Sequence, residues 1–324
     1  MKIFTTAIKL FFISFLVGVT HLAVSAQSGN TLDFDGVNDY VDIPYNSTIS
    51  NATLSVQLWV RVNTNTGNPQ SIITSAASTI NGGYKIYANP DGKFWLQVGN
   101  GGGTVSVEGA AISYGVWTNI AVTYDQSFVR FYVNGVLVKT VTVSGLGANP
   151  SPLPTRLGAG NTQGAANDFF GGQMHELSIW GKTLSQTEVS NNMVSSLSGT
   201  ESGLYSYYNF NEGVGNGDNR TPPINTLNDL SSNHVNGTLY NFALIGTSSN
   251  WVTSSVVPVT LISFTGTNKK SSNLLTWATG SEQNSSLFEI QRSENGNDFS
   301  TLSTIAAAGN SDKLLNYQYE DHQL

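Results

Sequence analysis

The stretch WTNIAVTYDQSFVRFYVNGVLV, Trp117 to Val138, alternates apolar and polar side chains and is interrupted twice by turn residues. That period of two predicts antiparallel hairpins set back to back. Asn134-Gly135 suits a type I′ turn, whose two central residues need positive φ. A two-residue loop pairs Val133 with Val136 and Phe131 with Val138. Alternation then puts Val129, Phe131, Val133, Val136 and Val138 on a core face, with Arg130, Tyr132, Leu137 and Lys139 on a half-wet face. A four-residue loop, Asp125 to Phe128, pairs Tyr124 with Val129 and Val122 with Phe131. One residue fewer would turn Ile120 and Val122 to solvent.

A third hairpin is predicted at YKIYANPDGKFWLQV, Tyr84 to Val98. Pro90-Asp91-Gly92 fits a type I turn followed by a left-handed glycine. The expected pairs are Ala88 with Phe94, Tyr87 with Trp95 and Ile86 with Leu96. Ile86, Phe94, Leu96 and Val98 form a core face, and Lys85, Tyr87, Trp95 and Gln97 share the opposite one. Further strand-like runs lie at 32–43, 55–62, 71–75, 105–107 and 172–179. One short helix is expected after Leu184, where Ser185 and Glu188 make a capping box and Val189 and Met193 are apolar four apart. The remainder to about Val252 is turn-rich, and such a chain predicts an all-β, two-sheet sandwich of jelly-roll type with a single short helix.

The N-terminus changes this picture. Lys2 and Lys9 supply a positive end before the apolar run Leu10 to Val19, and Val24-Ser25-Ala26 supplies the small residues of a cleavage site. Residues 1–26 therefore read as a secretory signal peptide, with an uncleaved membrane anchor as the alternative. No later run approaches the ~20 apolar residues of a membrane span. Cleavage would leave about 300 residues, enough for one large β domain and a second piece. It would also take the formal charge from −7 to −9 by removing two lysines. So acidic a surface is a poor partner for phosphate backbones, which argues against nucleic acid. Charged residues are 11% of the chain and cysteine is absent. The first figure is low against the ~25% of ordinary globular proteins and suits an extracellular, turn-rich protein. The second excludes thiol chemistry and leaves stability to core size and any bound metal.

LDFDGVNDYVDIP, TLSVQLWVRVN, the 117–138 stretch, GGQMHELSIWGKTLSQTEV and GLYSYYNFNEG together resemble the LamG-like jelly-roll module of the concanavalin A-like lectin/glucanase superfamily. The closing segment LNDLSSNHVNGTLYNFALIGTSSNWV is similar to the end of such modules in secreted Bacteroidetes proteins. The resemblance implies a module over 30–252. Residues 253–258 read as a linker. Residues 259–324 resemble the start of a fibronectin type III-like module, a run of short strands with a turn at Ser293–Asp298. Sandwiches of that type need ~100 residues. An incomplete second β-sandwich is therefore expected, within a longer protein; a naturally short final domain is the alternative.

Hydrolysis on this scaffold needs two carboxylates ~5–5.5 Å apart for retention. Hydrolases of the resembled superfamily usually carry them as E-x-D-x-x-E on one strand, and that motif is absent; His175-Glu176-Leu177-Ser178-Ile179 offers one acid. G-x-S-x-G, P-loop and H-E-x-x-H patterns are absent too. Glycines at 158–160 and 99–103 do not lie between a strand and a helix and read as turns. The acidic segments around Gly36 (Asp33, Asp35, Asn38, Asp39) and at Asp229–Asn233 carry the hard oxygens that suit Ca²⁺. The resemblance implies a structural calcium on Asp35 and Asp229, with Glu176 as a weaker third ligand, although Ser232 replaces the usual glycine of that loop. Turn capping by Asx hydrogen bonds is the alternative.

The expected function is a secreted or cell-surface, non-catalytic carbohydrate-binding or adhesion module, with a glycan or a cell-surface protein as partner. A spacer without small ligand and, further off, a glycan hydrolase are the alternatives. Tyr87 and Trp95 would be the platform, with Lys85 and Gln97 as hydrogen-bonding neighbours; the alternative is that the two rings only cover the second sheet face against a loop. Burying on the order of 60 Å² on a ring gives ~1.5 kcal/mol, and even a millimolar complex needs about 4 kcal/mol. Several rings, added hydrogen bonds or multivalency are required.

Overall fold

The computed structural model describes residues 7–13, 29–45, 53–75, 83–99, 103–143, 153–162, 164–253, 260–293, 300–311 and 313–322. The cleavage site, the linker from 254 to 258 and all but the first residue of the turn expected at 293–298 lie outside them. The chain divides into two compact units, residues 29–254 and residues 1–28 with 255–324.

In chain order the strands begin with β1 (Ala7–Ile13), β2 (Asn30–Asp35), β3 (Tyr40–Ile43), β4 (Leu54–Val62) and β5 (Gln70–Ser75). Then come β6 (Tyr84–Asn89), β7 (Lys93–Gly99), β8 (Thr104–Ala111), β9 (Thr118–Tyr124), β10 (Phe128–Val133) and β11 (Val136–Thr142). Next are β12 (Thr155–Leu157), β13 (Gly160–Thr162), β14 (Ala165–Asn167), β15 (Gly171–Trp180) and the helix α1 (Gln186–Val194). The first of the two units ends with β16 (Leu204–Tyr208), β17 (Thr226–Leu227), β18 (Gly237–Tyr240) and β19 (Asn250–Thr253). The last strands are β20 (Thr260–Asn268), β21 (Asn273–Ser293), β22 (Ser300–Ser311) and β23 (Leu315–Asp321).

Residues 29–254 form two stacked sheets. One runs β11-β10-β9-β4-β15-β2-β19, with β16 beside β15; the other runs β17-β18-β3-β12-β5-β6-β7-β8. The core between them takes every second side chain of both: Leu32, Phe34, Leu58, Val60, Ile120 and Met174 from one sheet, Val41, Ile73, Ile86, Phe94 and Leu96 from the other. Two strands distant in sequence close the module, since β19 pairs with β2 at Trp251 and Leu32. Where β15 changes neighbour from β2 to β16, the ladder slips between His175 and Ser178. Glu176 takes φ +52 there, a bulge that re-aims one side chain out of the alternation.

The hairpin of β6 and β7 has the expected register, including Tyr87 opposite Trp95, and Gly92 turns it at φ +79. Tyr124 also meets Val129, and Val122 meets Phe131. The β10–β11 hairpin corrects the sequence reading. Val133 pairs with Val136, but a bulge at Val138, between the Phe131 and Tyr132 pairings, brings Phe131 opposite Lys139 rather than Val138. Val136 and Val138 are 41% and 49% exposed instead of buried. The shift resets the alternation, so Val141 and Val143 turn to the core. Tyr132, assigned to the half-wet face, is buried. It packs with Ala121, Trp180, Leu184, Val189, Leu204 and Tyr207, a second cluster on the outer side of the sheet.

The helix α1 contributes Val189 to that cluster. Ser185 is its N-cap, and the capping box with Glu188 is formed in both directions. Removing the hydroxyl orphans the Glu188 backbone N–H, so Ser185→Ala costs about 1 kcal/mol. Its thermal midpoint falls by a few degrees, and Ser185→Asp, which restores an acceptor, recovers most of the loss.

The other unit is organised about β21, a single strand of 21 residues. Its first half pairs with β20 and β23, and its second half with β22 and, in parallel, β1. One long strand replaces the short strands expected there. Leu275, Trp277, Phe288 and Ile290 make its core, with Trp277 stacked on Tyr317 at 5.6 Å.

Candidate functional site

The outer face of the second sheet carries the candidate platform. Because β6 and β7 send Ile86, Ala88, Phe94 and Leu96 inward, strand alternation turns Lys85, Tyr87, Trp95 and Gln97 outward. All four are half-buried. Tyr87 and Trp95 are direct cross-strand neighbours, as are Lys85 and Gln97.

Each of these side chains is held by a neighbour. The Trp95 indole Nε1 donates to Asp91 Oδ2 at 2.9 Å. Asp91 Oδ1 accepts the backbone N–H of Lys93, which ties the indole to the hairpin turn. Lys85 Nζ donates to Asp168 Oδ2 at 2.7 Å and lies 4.9 Å from the Tyr87 ring centroid. Burial raises the Tyr87 phenol above its ordinary value, against a hydrogen bond with Ser106 that lowers it. Gln97 Nε2 makes a long hydrogen bond of 3.4 Å to Ser106 Oγ. At the rim, Glu108 accepts from Lys139 at 2.8 Å and Lys93 at 2.9 Å. Those two ammonium groups hold its carboxyl below the usual range.

The β13–β14 hairpin lies over the same face. Ser71 of β5 donates its backbone N–H to the Asp168 carbonyl, so the segment after β14 is fixed beside Lys85. On the other flank Arg156 points its guanidinium at the carbonyls of Gly160 and Gly164. Arg156 also forms a two-pronged pair with Asp42, at 2.7 and 3.0 Å. It lies 4.5 Å from the Tyr40 ring, and Tyr40 stacks on Tyr240 at 4.9 Å. The face thus holds a second aromatic station on β3 and β18, beyond the hairpin. The outward position of Tyr40 follows from Val41 and Ile43 facing the core. Its partnership with Tyr240, 200 residues on, has no local signal.

The three carboxylates assigned to calcium are not brought together. Asp35 Oδ1 accepts the backbone N–H groups of Val37 and Asn38 in a turn of its own. Asp229 accepts three, from Tyr207 and Ser231 on one oxygen and Val235 on the other. Glu176 accepts a short hydrogen bond from the Tyr207 phenol, and its Oε1 is 3.7 Å from His175 Nε2. Asp35 pairs with Gly171, which places it roughly 15 Å along β15 from Glu176 at the usual strand rise. Among the described residues no group of three His, Asp or Glu side chains is arranged to hold a metal ion. A calcium ion wants six to eight oxygens; Asp35 and Asp229 instead take backbone N–H groups and Glu176 the Tyr207 phenol, and the three do not form one donor set.

No curated protein matches the chain. Among solved structures, a candidate carbohydrate binding protein from Bacteroides ovatus is similar at 18% identity and a TM-score of 0.51. That match covers 69% of this chain, which spans 61% of the other's length; it speaks to the fold. The CBM40 of the Ruminococcus gnavus IT-sialidase, bound to α2,3 sialyllactose, matches 52% of this chain and 99% of its own, at 15% identity and a TM-score of 0.44. Domain 4 of the arabinanase AbnA from Geobacillus stearothermophilus, in complex with arabinotriose, matches 53% and 81% at 22% identity and a TM-score of 0.40. Residues 35–190, which include the whole Tyr87–Trp95 platform and both flanks of the β13–β14 hairpin, match the family model of the concanavalin A-like lectin/glucanases superfamily.

Proposed function

We propose that residues 29–254 are a non-catalytic carbohydrate-binding module of a secreted or surface-displayed protein, with Tyr87 and Trp95 as its sugar platform. The observation that carries this reading is the cross-strand aromatic pair left half-exposed side by side on an outer sheet face. Aromatic faces bury the C–H side of a pyranose, and two rings together contribute ~3 kcal/mol at about 25 cal/mol per Å². The Gln97 amide and Ser106 hydroxyl beside them supply further polar contacts. The Bacteroides ovatus structure described as a carbohydrate binding protein supports the same reading, and the apolar run near the N-terminus supports export.

Hydrolysis has less support. The acids of this face, Asp42, Asp91, Glu108 and Asp168, each answer a cation or an N–H donor. The spacer reading draws on the second unit that follows, and it predicts no glycan affinity at all.

A glycan array probed with the full chain tests the proposal. Trp95→Ala removes one ring and ~1.5 kcal/mol, so retention falls about tenfold. Equal signals from wild type and variant would place the ligand elsewhere, and a silent array would favour the spacer.

A further inference from the structure

We infer that the platform selects neutral glycans and rejects acidic ones, an inference that rests on the carbohydrate-binding reading above. It comes from the charges of the face taken together. The cations are Lys85, Lys93, Lys139 and Arg156; the anions are Asp42, Asp91, Glu108 and Asp168. Opposite signs are equal in number, and each group has a partner. Lys85 is bound to Asp168 at 2.7 Å. Lys93 and Lys139 share Glu108. Arg156 is buried and gripped by both oxygens of Asp42. Asp91 accepts from the Trp95 indole and a backbone N–H. The segments of 29–253 outside the described residues contain no Asp, Glu, Lys or Arg, so no further charge can reach the platform from them.

A sugar carboxylate or sulfate seated on Tyr87 and Trp95 would need a cation of its own. Taking Lys85 would strip Asp168, and taking Lys93 would loosen Glu108; either exchange breaks one ion pair to make another. The anion would also meet Asp91, Asp168 and Glu108 at close quarters. The formal charge of −7 on the chain adds repulsion at longer range. A neutral sugar has none of these costs. Its C–H face covers the rings, and its hydroxyls meet the Gln97 amide and the Ser106 hydroxyl, neither of which is engaged in an ion pair.

The test measures binding of the full chain to neutral probes (cellohexaose, xylohexaose, laminarihexaose and a linear arabino-oligosaccharide) and to acidic ones (oligogalacturonate, sialyllactose and a sulfated heparin fragment). Each is run at 0.05 and 0.5 M NaCl. At least one neutral probe is expected to bind, with less than about a twofold change across that range because no net charge is screened. Acidic probes are expected to bind at least ~10-fold more weakly. Asp168→Asn releases Lys85 and is expected to raise retention of sialyllactose several-fold, in a manner lost at high salt. Binding confined to acidic probes, or a neutral affinity that falls ~10-fold with salt, overturns this inference and leaves the carbohydrate reading standing. Sialyllactose binding equal in wild type and Asp168→Asn also overturns it, since the ion pair is then not what excludes anions. Silence on every probe overturns the carbohydrate reading and this inference with it.

Discussion

Replacing Trp251 by alanine is expected to lower the thermal midpoint of the sandwich unit by roughly 10 °C or more. Trp251 is fully buried on the closing strand β19. A Cβ built on Gly213 would meet its ring at 2.1 Å, which shows how closely the loop after β16 is packed on it. Its indole Nε1 donates to the Ile224 carbonyl at 2.9 Å. Truncation therefore opens a cavity and orphans a carbonyl at the same place. Large-to-small changes of a buried tryptophan cost ~3–5 kcal/mol, and a unit of this size loses about 2–4 °C per kcal/mol. Trp251→Phe keeps most of the volume and is expected to lose about half as much. Heat-induced unfolding followed by intrinsic fluorescence and by calorimetry checks both. An alanine variant as stable as wild type would mean that β19 does not hold the module closed.

The sandwich is also expected to be more stable near pH 5 than near pH 8. Burial pushes the Asp39 carboxyl up to about 6, despite hydrogen bonds from the Asp35 N–H and the Ser249 hydroxyl. Burial likewise pushes Glu176 up to about 7, opposed by the Tyr207 phenol. Asp33 and Glu212 move the same way for the same reason. Both values exceed those of the unfolded chain, 3.8 and 4.5. Between those limits the native state holds more protons than the unfolded one, so stability falls as pH rises. The loss begins below pH 6 with Asp39 and is complete above about pH 7.5 with Glu176. Each group contributes on the order of 3 kcal/mol at 1.36 kcal/mol per unit. Carboxylates with lowered values do not mask the trend. Glu188, held down to about 2 by Lys182 and the Ser185 N–H, weakens the fold only below about pH 4.5, where the unfolded carboxyl takes up its proton. Unfolding midpoints from pH 5 to 8 should therefore decline steadily, and Glu176→Gln should flatten the upper half of that decline. A midpoint that climbs with pH over this range would contradict the burial argument.

Much of the platform was legible because a hairpin is a local object. Turn chemistry at Pro90-Asp91-Gly92 sets the register, and the register sets which side chains share a face, so Tyr87 opposite Trp95 follows from fifteen consecutive residues. The Asp91 tether of Trp95 lies within the same stretch and could have been read there. The β10–β11 hairpin shows where that logic stops. Its turn follows from Asn134-Gly135, but a bulge adds a residue that no alternation announces, and Val136 and Val138 end in solvent. Tyr132 departs from its expected half-wet face for another reason: whether the outer side of a sheet is wet depends on what covers it, and here that includes Leu184 and Val189, more than fifty residues away.

Periodicity and turn chemistry were enough for the local facts: all-β architecture, one capped helix, the turns, and the aromatic pair on a non-core face. These follow from side-chain periodicity and backbone sterics over a few residues, and no distant group can change them cheaply. Long-range packing set the rest: Asp168 neutralises Lys85, Asp42 grips Arg156 beneath a hairpin, and Asp35, Asp229 and Glu176 do not form one metal-holding group. Such encounters depend on sheet order, which brings together residues 80 to 200 positions distant. An ion pair is set by where two charges end up in space, and spacing along the chain carries no record of it.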